Sequence, residues 1–405
     1  MSDSKGASFC LYYFRDLANP GTVDLRKIEI GDSIPFDIQN NCPCCERGLK
    51  TFCTLLGKNG RKRMRLGLCE SCGYAGYIDR PTKDWIIKFY DEEWDNAKAR
   101  DIKREAERLK PGLTIQQQEV VRLADSSGIS KNRPVSDIGC GNGGILKGFA
   151  DKGFTNLIGV ENSAYRAELG RVKYGYKIIT GNFENNDVLT ELKKSAPIGI
   201  FTSFHVMEHV YYPSEIISIA ASLQDEGDHI VLAMPNGIGE AAVTTLFWMP
   251  HLHSYTNVGL ERLLNRFGYE IVDDNLSYPR HLIVMAKKVK DSKPRYQPDR
   301  DYLSFYIQKI RESFFVDLLE SGKRRRFSWT AKTYHTASVP AFANPMLDHV
   351  QYRAERFYDY FAARLFGRFS NRRSFIISAL ESRITNPGES PIEIQYDGNI
   401  ELLMR

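Results

Sequence analysis

The chain has 405 residues, more than one compact core usually holds, so we expect two or three domains. Its 55 basic and 50 acidic side chains leave a net charge of +5, too mild by itself to imply a nucleic-acid partner. No run approaches the roughly 20 apolar residues that span a bilayer, and no apolar signal core follows the amino terminus. We therefore expect a cytoplasmic protein without a membrane partner, in which the 8 cysteines stay reduced.

Four of these cysteines form two pairs near the amino terminus, Cys42-x-x-Cys45 and Cys69-x-x-Cys72. Each pair can present two thiolates from one tight turn to a tetrahedral ion, and the stretch between the pairs predicts a hairpin. The spacing predicts a zinc ribbon within residues 1–80, with a structural zinc because four cysteines close the coordination sphere. Cys44 is an alternative to Cys45, and four reduced, partly buried thiols are the alternative to zinc.

The basic run 61–65 lies in the predicted hairpin. A solvated hairpin tip explains it, and a grip on nucleic acid is the alternative. Residues 81–112 predict a connecting helix whose aromatic face, with Trp85, Phe89 and Tyr90, packs on the next domain.

A short apolar strand over 135–138 runs into a glycine-dense turn that opens a helix near Gly144. Glycines at Gly139, Gly141 and Gly143 let the backbone bend sharply and let a ligand lie against main-chain N–H groups. Gly139, Gly141 and Gly144 also satisfy the dinucleotide pattern G-x-G-x-x-G, so the glycines alone do not identify the nucleoside cofactor. Asp137 favours a cofactor with a positively charged group, because its carboxylate would repel a pyrophosphate.

Three further segments follow predicted strands: Glu161-Asn162, Asn182-Phe183, and the stretch from Phe204 to Val210. Together with the glycine turn, their order and spacing resemble class I S-adenosylmethionine-dependent methyltransferases over residues 113–288. The resemblance implies an α/β fold with a doubly wound, Rossmann-like, mostly parallel seven-stranded sheet and the cofactor at the carboxyl ends of its strands.

The same resemblance implies a set of cofactor contacts. The position of Asp137 lies near the amino-acid moiety in that family, Glu161 holds the ribose, and Asn182 with Phe183 borders the adenine. Asn182 departs from the aspartate often found at its position. The predicted cofactor-binding residues are Asp137, Gly139, Cys140, Gly141, Gly143, Glu161, Asn162, Asn182, Phe183 and Phe204.

Methyl transfer to oxygen or nitrogen is an in-line displacement, in which a protein holds the acceptor near the methyl group and removes a proton. Histidine suits the second task, and His205 is the first choice because it follows the fourth strand, near the cofactor sulfur. His251 or His253, on a loop expected over the acceptor, is the next choice. The predicted catalytic residues are His205, Glu208, His209 and His253.

The spacing His205-x-x-Glu208-His209 with the later His253 also resembles a metal-using arrangement, Glu-x-x-Glu-His plus a histidine, of ubiquinone-pathway and small-RNA 2′-hydroxyl methyltransferases. This resemblance implies an active-site Mg²⁺ that lowers the pKa of the acceptor hydroxyl. The match is incomplete, because His205 replaces the first glutamate. The alternative is that Glu208 and His209 cap and pack the start of a helix.

Residues 289–405 carry no motif that indicates a family. Apolar residues at helical spacing predict a mainly helical region whose aromatic stripes form a core or a homodimer contact. The tail predicts a β-hairpin around Asp397-Gly398. The basic runs 323–326 and 372–373 suit solvated helix ends, with phosphate contact as the alternative.

The order of ribbon, aromatic helix and nucleoside-binding domain resembles bacterial methyltransferases found with sugar and polysaccharide biosynthesis. This resemblance favours methyl transfer to a hydroxyl of a sugar, a nucleotide-linked sugar or a similar small metabolite. Two alternatives stay open. One is an RNA methyltransferase that grips through the ribbon and the basic runs, and the other is a scaffold that keeps the cofactor pocket without chemistry.

Overall fold

The computed structural model describes residues 24–29, 35–56, 63–89, 102–109, 112–239, 246, 250–276, 280–306, 392–395 and 399–404. Several predicted features lie outside these residues. They are the hairpin tip with Arg61 and Lys62, the aromatic helix beyond Phe89, and the carboxyl-terminal helical region with its two basic runs.

The amino-terminal part is built from short strands: β1 (Asp24–Glu29), β2 (Phe36–Ile38), β3 (Lys50–Leu56), β4 (Arg63–Leu68), β5 (Ala75–Tyr77) and β6 (Asp79–Pro81). β3, β4 and β5 pair antiparallel in chain order, so the hairpin predicted between the two cysteine pairs is present. Met64, Leu66 and Leu68 alternate along β4 and are fully buried, as in a strand with one face on a core. We call residues 36–81 the ribbon.

Two helices follow the ribbon, α1 (Lys83–Phe89) and α2 (Ile102–Arg108). Helices and strands then follow one another in the order α3 (Ile115–Ser126), β7 (Val135–Ile138), α4 (Gly144–Asp151), β8 (Leu157–Glu161), α5 (Ala164–Tyr174), β9 (Lys177–Thr180), α6 (Asn186–Lys193), β10 (Ile200–Phe204), α7 (Pro213–Ser222), β11 (His229–Pro235), β12 (His253–Ser254), α8 (Asn257–Asn265), β13 (Tyr269–Asn275) and β14 (His281–Lys288). Local signals set the helix starts: Thr114 forms a capping box with Gln117, and the Ser163 hydroxyl accepts a hydrogen bond from the Arg166 N–H.

Seven of these strands form the central sheet, in the order β13-β14-β11-β10-β7-β8-β9. The five strands from β7 to β11 run parallel, and β14 is antiparallel to both of its neighbours. All four residues of β7 and all seven of β11 are buried, as expected for strands covered on both faces. The predicted fold class is confirmed. β8 and β9 lie on one side of β7, and β10 and β11 lie on its other side, so the strand order reverses at β7. In such a sheet the ligand crevice lies at the carboxyl ends of the two strands at the reversal, here β7 and β10.

Two apolar layers cover this sheet. On one face, Val121 of α3 and Phe149 of α4 belong to the cluster that includes Val135 and Val231. On the other face, side chains of α6, α7 and α8 belong to the cluster that includes Phe201 and Leu232. The four cysteines Cys42, Cys44, Cys69 and Cys72 also belong to this second cluster, so the ribbon packs on the α8 side of the sheet.

The ribbon shares a second sheet with distant parts of the chain, in the order β12-β5-β4-β3-β15, where β15 is Ile392–Gln395. β12 pairs antiparallel with β5, so the segment expected as a loop over the acceptor is instead an edge strand of the ribbon.

β15 runs parallel to β3, and β16 (Asn399–Met404) pairs antiparallel with β1. The predicted carboxyl-terminal hairpin is therefore wrong in its pairing. β15 pairs with the otherwise unpaired edge of β3, and β16 pairs with β1 instead of with β15. Residues 396–398, at the predicted turn, lie outside the described residues.

Within the described residues, no helix is long and apolar enough to cross a membrane. The domain boundaries at residues 80, 112 and 288 stay predictions, as does a homodimer through the carboxyl-terminal region.

Candidate cofactor and acceptor site

The glycine turn after β7 has the left-handed backbone that its sequence predicts. Gly139, Gly141 and Gly143 have φ values of +70°, +55° and +84°. A Cβ atom at Gly139 would lie 2.3 Å from Cγ2 of Val206, so only glycine lets the loop after β10 approach this closely. Gly143 is the N-cap residue of α4. The turn thus brings the carboxyl ends of β7 and β10 together around one crevice.

Glu161, at the end of β8, is held in place by two backbone donors. Its Oε2 accepts the Gly141 N–H at 2.8 Å, and its Oε1 accepts the Ser163 N–H at 2.9 Å. Each carboxylate oxygen can accept a second hydrogen bond, so the group keeps capacity for two ligand hydroxyls. This arrangement suits a ribose diol.

Asp137 is buried beside the turn, and its Oδ1 accepts a hydrogen bond from the Thr202 hydroxyl at 2.6 Å. Burial raises the pKa of Asp137 to about 7, the Thr202 hydrogen bond opposes that rise, and the nearby Glu161 charge adds to it. A cationic ligand group would reverse this shift, because an opposite charge favours the carboxylate. Asp137 therefore suits the ammonium group of an amino-acid moiety.

Two neighbouring cavities open onto this crevice and share Gly139 and Arg166. The larger, of about 470 Å³, is lined by six predicted residues in addition to Gly139, namely Glu161, Asn162, Asn182, Phe183, His205 and His209. The smaller, of about 410 Å³, is lined by Asp137, Gly139, Cys140, Gly141 and Phe204. The predicted cofactor residues thus surround one continuous crevice, apart from Gly143, which caps the helix.

His205 is a candidate proton acceptor in the crevice. Its Nδ1 lies 2.8 Å from Oε1 of Glu208, which can only accept, so Nδ1 carries a proton and, in the neutral ring, Nε2 keeps its lone pair. Among the described residues, Nε2 of His205 has no hydrogen-bond partner, and the ring lines the larger cavity. His205 also has a left-handed φ of +55°, a conformation that costs a non-glycine residue about 1–3 kcal/mol.

The side chains around the His205–Glu208 pair favour the ionised form of Glu208. Burial alone would raise the pKa of Glu208, but the imidazoles of His205, His209 and His251 and the hydrogen bond from His205 lower it to about 2. The His281 ring meets the His205 ring edge-on, with centroids 5.1 Å apart, and burial lowers the pKa of His281 to about 4. Glu208 is therefore a carboxylate, and His281 is neutral, at any working pH.

No helix begins at these residues, so the capping alternative for Glu208 and His209 is wrong. Residues 207–209 form a turn, and α7 begins only at Pro213. The His209 Nδ1 instead donates to the Pro250 carbonyl at 2.9 Å. Contacts of the loop after β10 therefore hold Glu208 and His209 beside the crevice.

Glu208, His209 and His251 form a second group of ligand atoms, all within 4.8 Å of one another. Oε2 of Glu208 is buried without a hydrogen-bond partner. Two imidazoles and one carboxylate suit zinc, iron or manganese, whereas Mg²⁺ prefers oxygen ligands and keeps several waters. The residues present do not fit the predicted Mg²⁺.

His253 lies apart from both cavities and is 2% exposed. Its Nε2 lies 2.8 Å from the Val210 carbonyl, and its Nδ1 lies 2.6 Å from the Tyr74 hydroxyl. Both ring nitrogens are therefore occupied by protein groups. His251 rather than His253 faces His209, with ring centroids 4.7 Å apart.

The ribbon cysteines gather as their spacing predicts. Cys42, Cys45, Cys69 and Cys72 bring their sulfurs within 4.8 Å of one another. The Cys42–Cys72, Cys45–Cys69 and Cys45–Cys72 sulfurs are 3.6, 3.4 and 3.8 Å apart. Four sulfurs at the usual Zn–S distance stand about 3.8 Å apart, so the group fits a tetrahedral zinc. Cys44 is buried but is not part of this group.

The four thiols differ in how easily they ionise. Hydrogen bonds from neighbouring thiols, that of Cys42 first, lower the pKa of Cys45 and Cys72, so thiolates are available at neutral pH, whereas the pKa values of Cys42 and Cys69 are raised. A thiolate is the form of cysteine that ligates zinc.

Sequence reasoning missed several residues that line the crevice. Arg166 lies in the first turn of α5 and contacts both cavities. Lys83 of α1 lines the larger cavity and forms an ion pair with Glu184 at 2.6 Å. Tyr165 hydrogen-bonds Glu105 of α2 across the smaller cavity. The helix start after the second strand could have indicated Arg166, but nothing local indicates that α1 and α2 close the site.

Comparison with known proteins identifies part of the chain. Residues 97–274, less than half of the chain, match a family model described as a methyltransferase domain. This match confirms a methyltransferase domain, the predicted class of enzyme. A search of curated proteins found no match to the sequence.

Several solved structures are similar to part of the chain. Magnesium protoporphyrin IX methyltransferase from Synechocystis PCC 6803, solved with S-adenosylmethionine, is 16% identical over 51% of this chain and 97% of its own, with a TM-score of 0.37. A SAM-dependent methyltransferase from Archaeoglobus fulgidus is 19% identical over 43% of this chain and 93% of its own, with a TM-score of 0.35. The CcbJ methyltransferase from Streptomyces caelestis is 14% identical over 44% of this chain and 97% of its own, with a TM-score of 0.36. Similarity this low carries no argument about the acceptor.

Proposed function

We propose that this S-adenosylmethionine-dependent methyltransferase methylates a hydroxyl of a sugar, a nucleotide-linked sugar or a similar small metabolite, with His205 as the general base. The observation that carries the proposal is the His205–Glu208 pair, at 2.8 Å, beside the glycine turn. A base with one nitrogen oriented by a buried carboxylate and the other facing the crevice is the arrangement that proton removal requires.

The residues divide the work as follows. Asp137 binds the ammonium group, Glu161 binds the ribose hydroxyls, and Asn182 and Phe183 border the adenine. When bound, S-adenosylmethionine would supply an electrophilic methyl group and leave as S-adenosylhomocysteine once its sulfur–carbon bond to that methyl breaks. His205 Nε2 takes the proton of the acceptor hydroxyl, and Glu208 stabilises the imidazolium that results. Once the product leaves, the proton passes from His205 to water.

The larger cavity, of about 470 Å³, is lined both by residues assigned to the cofactor, such as Glu161 and Phe183, and by His205. An acceptor that reaches His205 shares this space with the adenosine end of the cofactor, which favours a small molecule. Lys83 and Glu184 form an ion pair at the wall, and isoleucine side chains also line it. Such a mixed wall suits a ring that carries several hydroxyls.

The test is to incubate the purified protein and methyl-labelled S-adenosylmethionine with two fractions of cell extract, small molecules and RNA. We expect label in saccharide-type metabolites, and none after His205→Ala. His229→Gln, at the opposite end of the sheet, is the matched control and should keep the wild-type rate. Label that ribonuclease releases would instead favour the RNA alternative, and a wild-type rate in His205→Ala would remove His205 as base.

We also propose that the ribbon holds one structural zinc through Cys42, Cys45, Cys69 and Cys72. The sulfur distances and the closed set of four thiols support it. Elemental analysis should find one zinc per chain, and its absence from protein purified without chelator would contradict the proposal.

A cation-assisted form of the same reaction is the second candidate, and the orphaned Oε2 of Glu208 favours it. Glu208, His209 and His251 would hold a transition ion, and the His209 Nδ1 already donates to a carbonyl, as metal-bound histidines commonly do. Since chelation could also strip the ribbon, activity must be regained with manganese or iron while zinc in the ribbon stays constant. Full activity in a chelator that leaves ribbon zinc in place would exclude this form.

A further inference from the structure

We infer that the ribbon is part of the positioning machinery of the active site, and that Tyr74 and His253 are positioning residues for the His205–Glu208 pair. This inference rests on the proposed role of His205. We call residues 205–211 the catalytic loop. It follows β10 and carries His205, Glu208 and His209.

The catalytic loop is anchored through four of its backbone carbonyls. The Met207 carbonyl accepts the Tyr255 hydroxyl at 3.0 Å, and the Glu208 carbonyl accepts the His253 N–H at 3.2 Å. The other two are the Val210 carbonyl, which accepts Nε2–H of His253 at 2.8 Å, and the Tyr211 carbonyl, which accepts Arg80 Nη1 at 2.8 Å. All four donors come from the ribbon or from the segment that pairs with it. The catalytic loop is therefore fixed from the ribbon side.

β12 and the residues just after it are in turn held by the ribbon. His253 and Ser254 pair with Gly76 and Ala75 of β5, and the Thr256 hydroxyl donates to the Cys72 carbonyl at 2.5 Å. The Tyr74 and Tyr255 rings meet at 5.9 Å, edge to face. Tyr74 stands two residues after the predicted zinc ligand Cys72. The turn that carries Cys69 and Cys72 is thus in direct contact with β12 and the residues just after it.

The His253 ring is the central link, and its protonation follows from its partners. The Val210 carbonyl can only accept, so Nε2 carries the proton and donates. Nδ1 must then accept, and the Tyr74 hydroxyl, 2.6 Å away, donates to it. Because both nitrogens are used, His253 positions the catalytic loop and does not take a proton from the acceptor.

Methyl transfer is sensitive to such positioning, since a misplacement of 1 Å can cost about 10²-fold in rate. The cofactor contacts do not depend on these links, because Glu161 is held by the Gly141 and Ser163 amides and Asp137 by Thr202. Loss of the Tyr74–His253 link should therefore lower the rate of transfer and leave cofactor affinity unchanged.

The test compares Tyr74→Phe, His253→Ala and His253→Gln in the full chain with a matched control. Tyr269→Phe removes an equally buried hydroxyl, which donates to Gln224 Oε1 at 2.5 Å on the far edge of the central sheet. For each variant we would measure the Kd of S-adenosylhomocysteine and the zinc content. We would also measure hydrogen exchange of the peptide over 205–211 and label transfer from S-adenosylmethionine to the small-molecule fraction.

We expect Tyr74→Phe and His253→Ala to slow transfer by at least about 10-fold and to speed exchange over 205–211, with the Kd of S-adenosylhomocysteine within about 2-fold of the wild type. His253→Gln keeps a donor for the Val210 carbonyl and should recover part of the rate. Tyr269→Phe should change none of these quantities.

The inference is overturned if Tyr74→Phe and His253→Ala transfer label as fast as Tyr269→Phe, or if they lose cofactor binding in proportion to rate. Should Tyr74→Phe not fold, His253→Gln against His253→Ala decides in the same way. Failure of the proposed function has a different signature. His205→Ala would then keep the wild-type rate, whatever the exchange over 205–211 shows.

Discussion

The affinity for cofactor should depend on pH through Asp137. Burial raises the pKa of this carboxyl to about 7 in the cofactor-free protein, so it is half protonated at neutral pH. A ligand ammonium group binds the ionised form, so binding below pH 7 must expel a proton. Affinity therefore approaches its full value by about pH 8 and falls as the pH falls through 7.

The size of the effect follows from the ionised fraction. A group with a pKa of about 7 is about nine-tenths ionised at pH 8 and about 3% ionised at pH 5.5, so affinity should drop about 30-fold, or about 2 kcal/mol, across this range. Titration calorimetry with S-adenosylhomocysteine at several pH values measures the drop. Repeating it near pH 6 in buffers of different ionisation enthalpy should show about one proton released per cofactor bound.

Asp137→Asn is the informative variant, because it keeps the shape of the side chain and its acceptor for the Thr202 hydroxyl. It should bind the cofactor more weakly, with a Kd that is flat between pH 5.5 and 8 apart from the ligand's own titration. The cofactor-free variant should also melt higher at neutral pH, since it no longer buries a carboxylate. A wild-type Kd that is flat over this range, or a slope that survives Asp137→Asn, would refute the reasoning.

Three further predictions follow from the site and the ribbon. Glu208→Gln should lower kcat about 10²-fold without changing the Kd of S-adenosylhomocysteine, because it removes the charge that orients and stabilises His205. Steady-state kinetics would show this loss, and an unchanged kcat would contradict it. Gly139→Ala should abolish cofactor binding and lower the melting temperature, since its Cβ would lie 2.3 Å from Val206 Cγ2 at a φ of +70°; calorimetry and thermal melts check both. Cys72→Ser should contain no zinc by elemental analysis and should have a lower melting temperature. Cys140→Ser, away from the ribbon, should keep its zinc. Equal zinc content in the two variants would count against the four-cysteine site.

The parts of the site that the sequence predicts well are those built from local signals. The glycine turn and Glu161 each sit where a strand ends and a helix begins, so residue type and spacing place them without knowledge of distant contacts. The cysteine pairs likewise carry their geometry in their spacing, and the hairpin between them brings the two turns together.

The parts that it misplaces are set by pairing between distant segments. His253 is predicted as a candidate base because its segment is expected to form a loop over the acceptor, but both of its ring nitrogens are held by protein groups, one of them Tyr74, 179 residues earlier in the chain. The carboxyl-terminal hairpin fails for the same reason, since Asp397-Gly398 is a local turn signal while β15 and β16 pair with β3 and β1. Lys83 was missed because its place at the crevice follows from how α1 packs.

The sharing of one sheet between the ribbon and β12 has a consequence for how the chain is made. The ribbon leaves the ribosome early, but Tyr74 meets its partner His253 only 179 residues later, roughly 10 to 35 s at ordinary rates of synthesis. Throughout that interval the outer edge of β5 lacks its neighbour, and an unpaired strand edge is a template for aggregation. The nascent ribbon thus keeps this edge open until β12 is made, and a ribbon expressed alone carries an open edge that β12 covers in the longer chain.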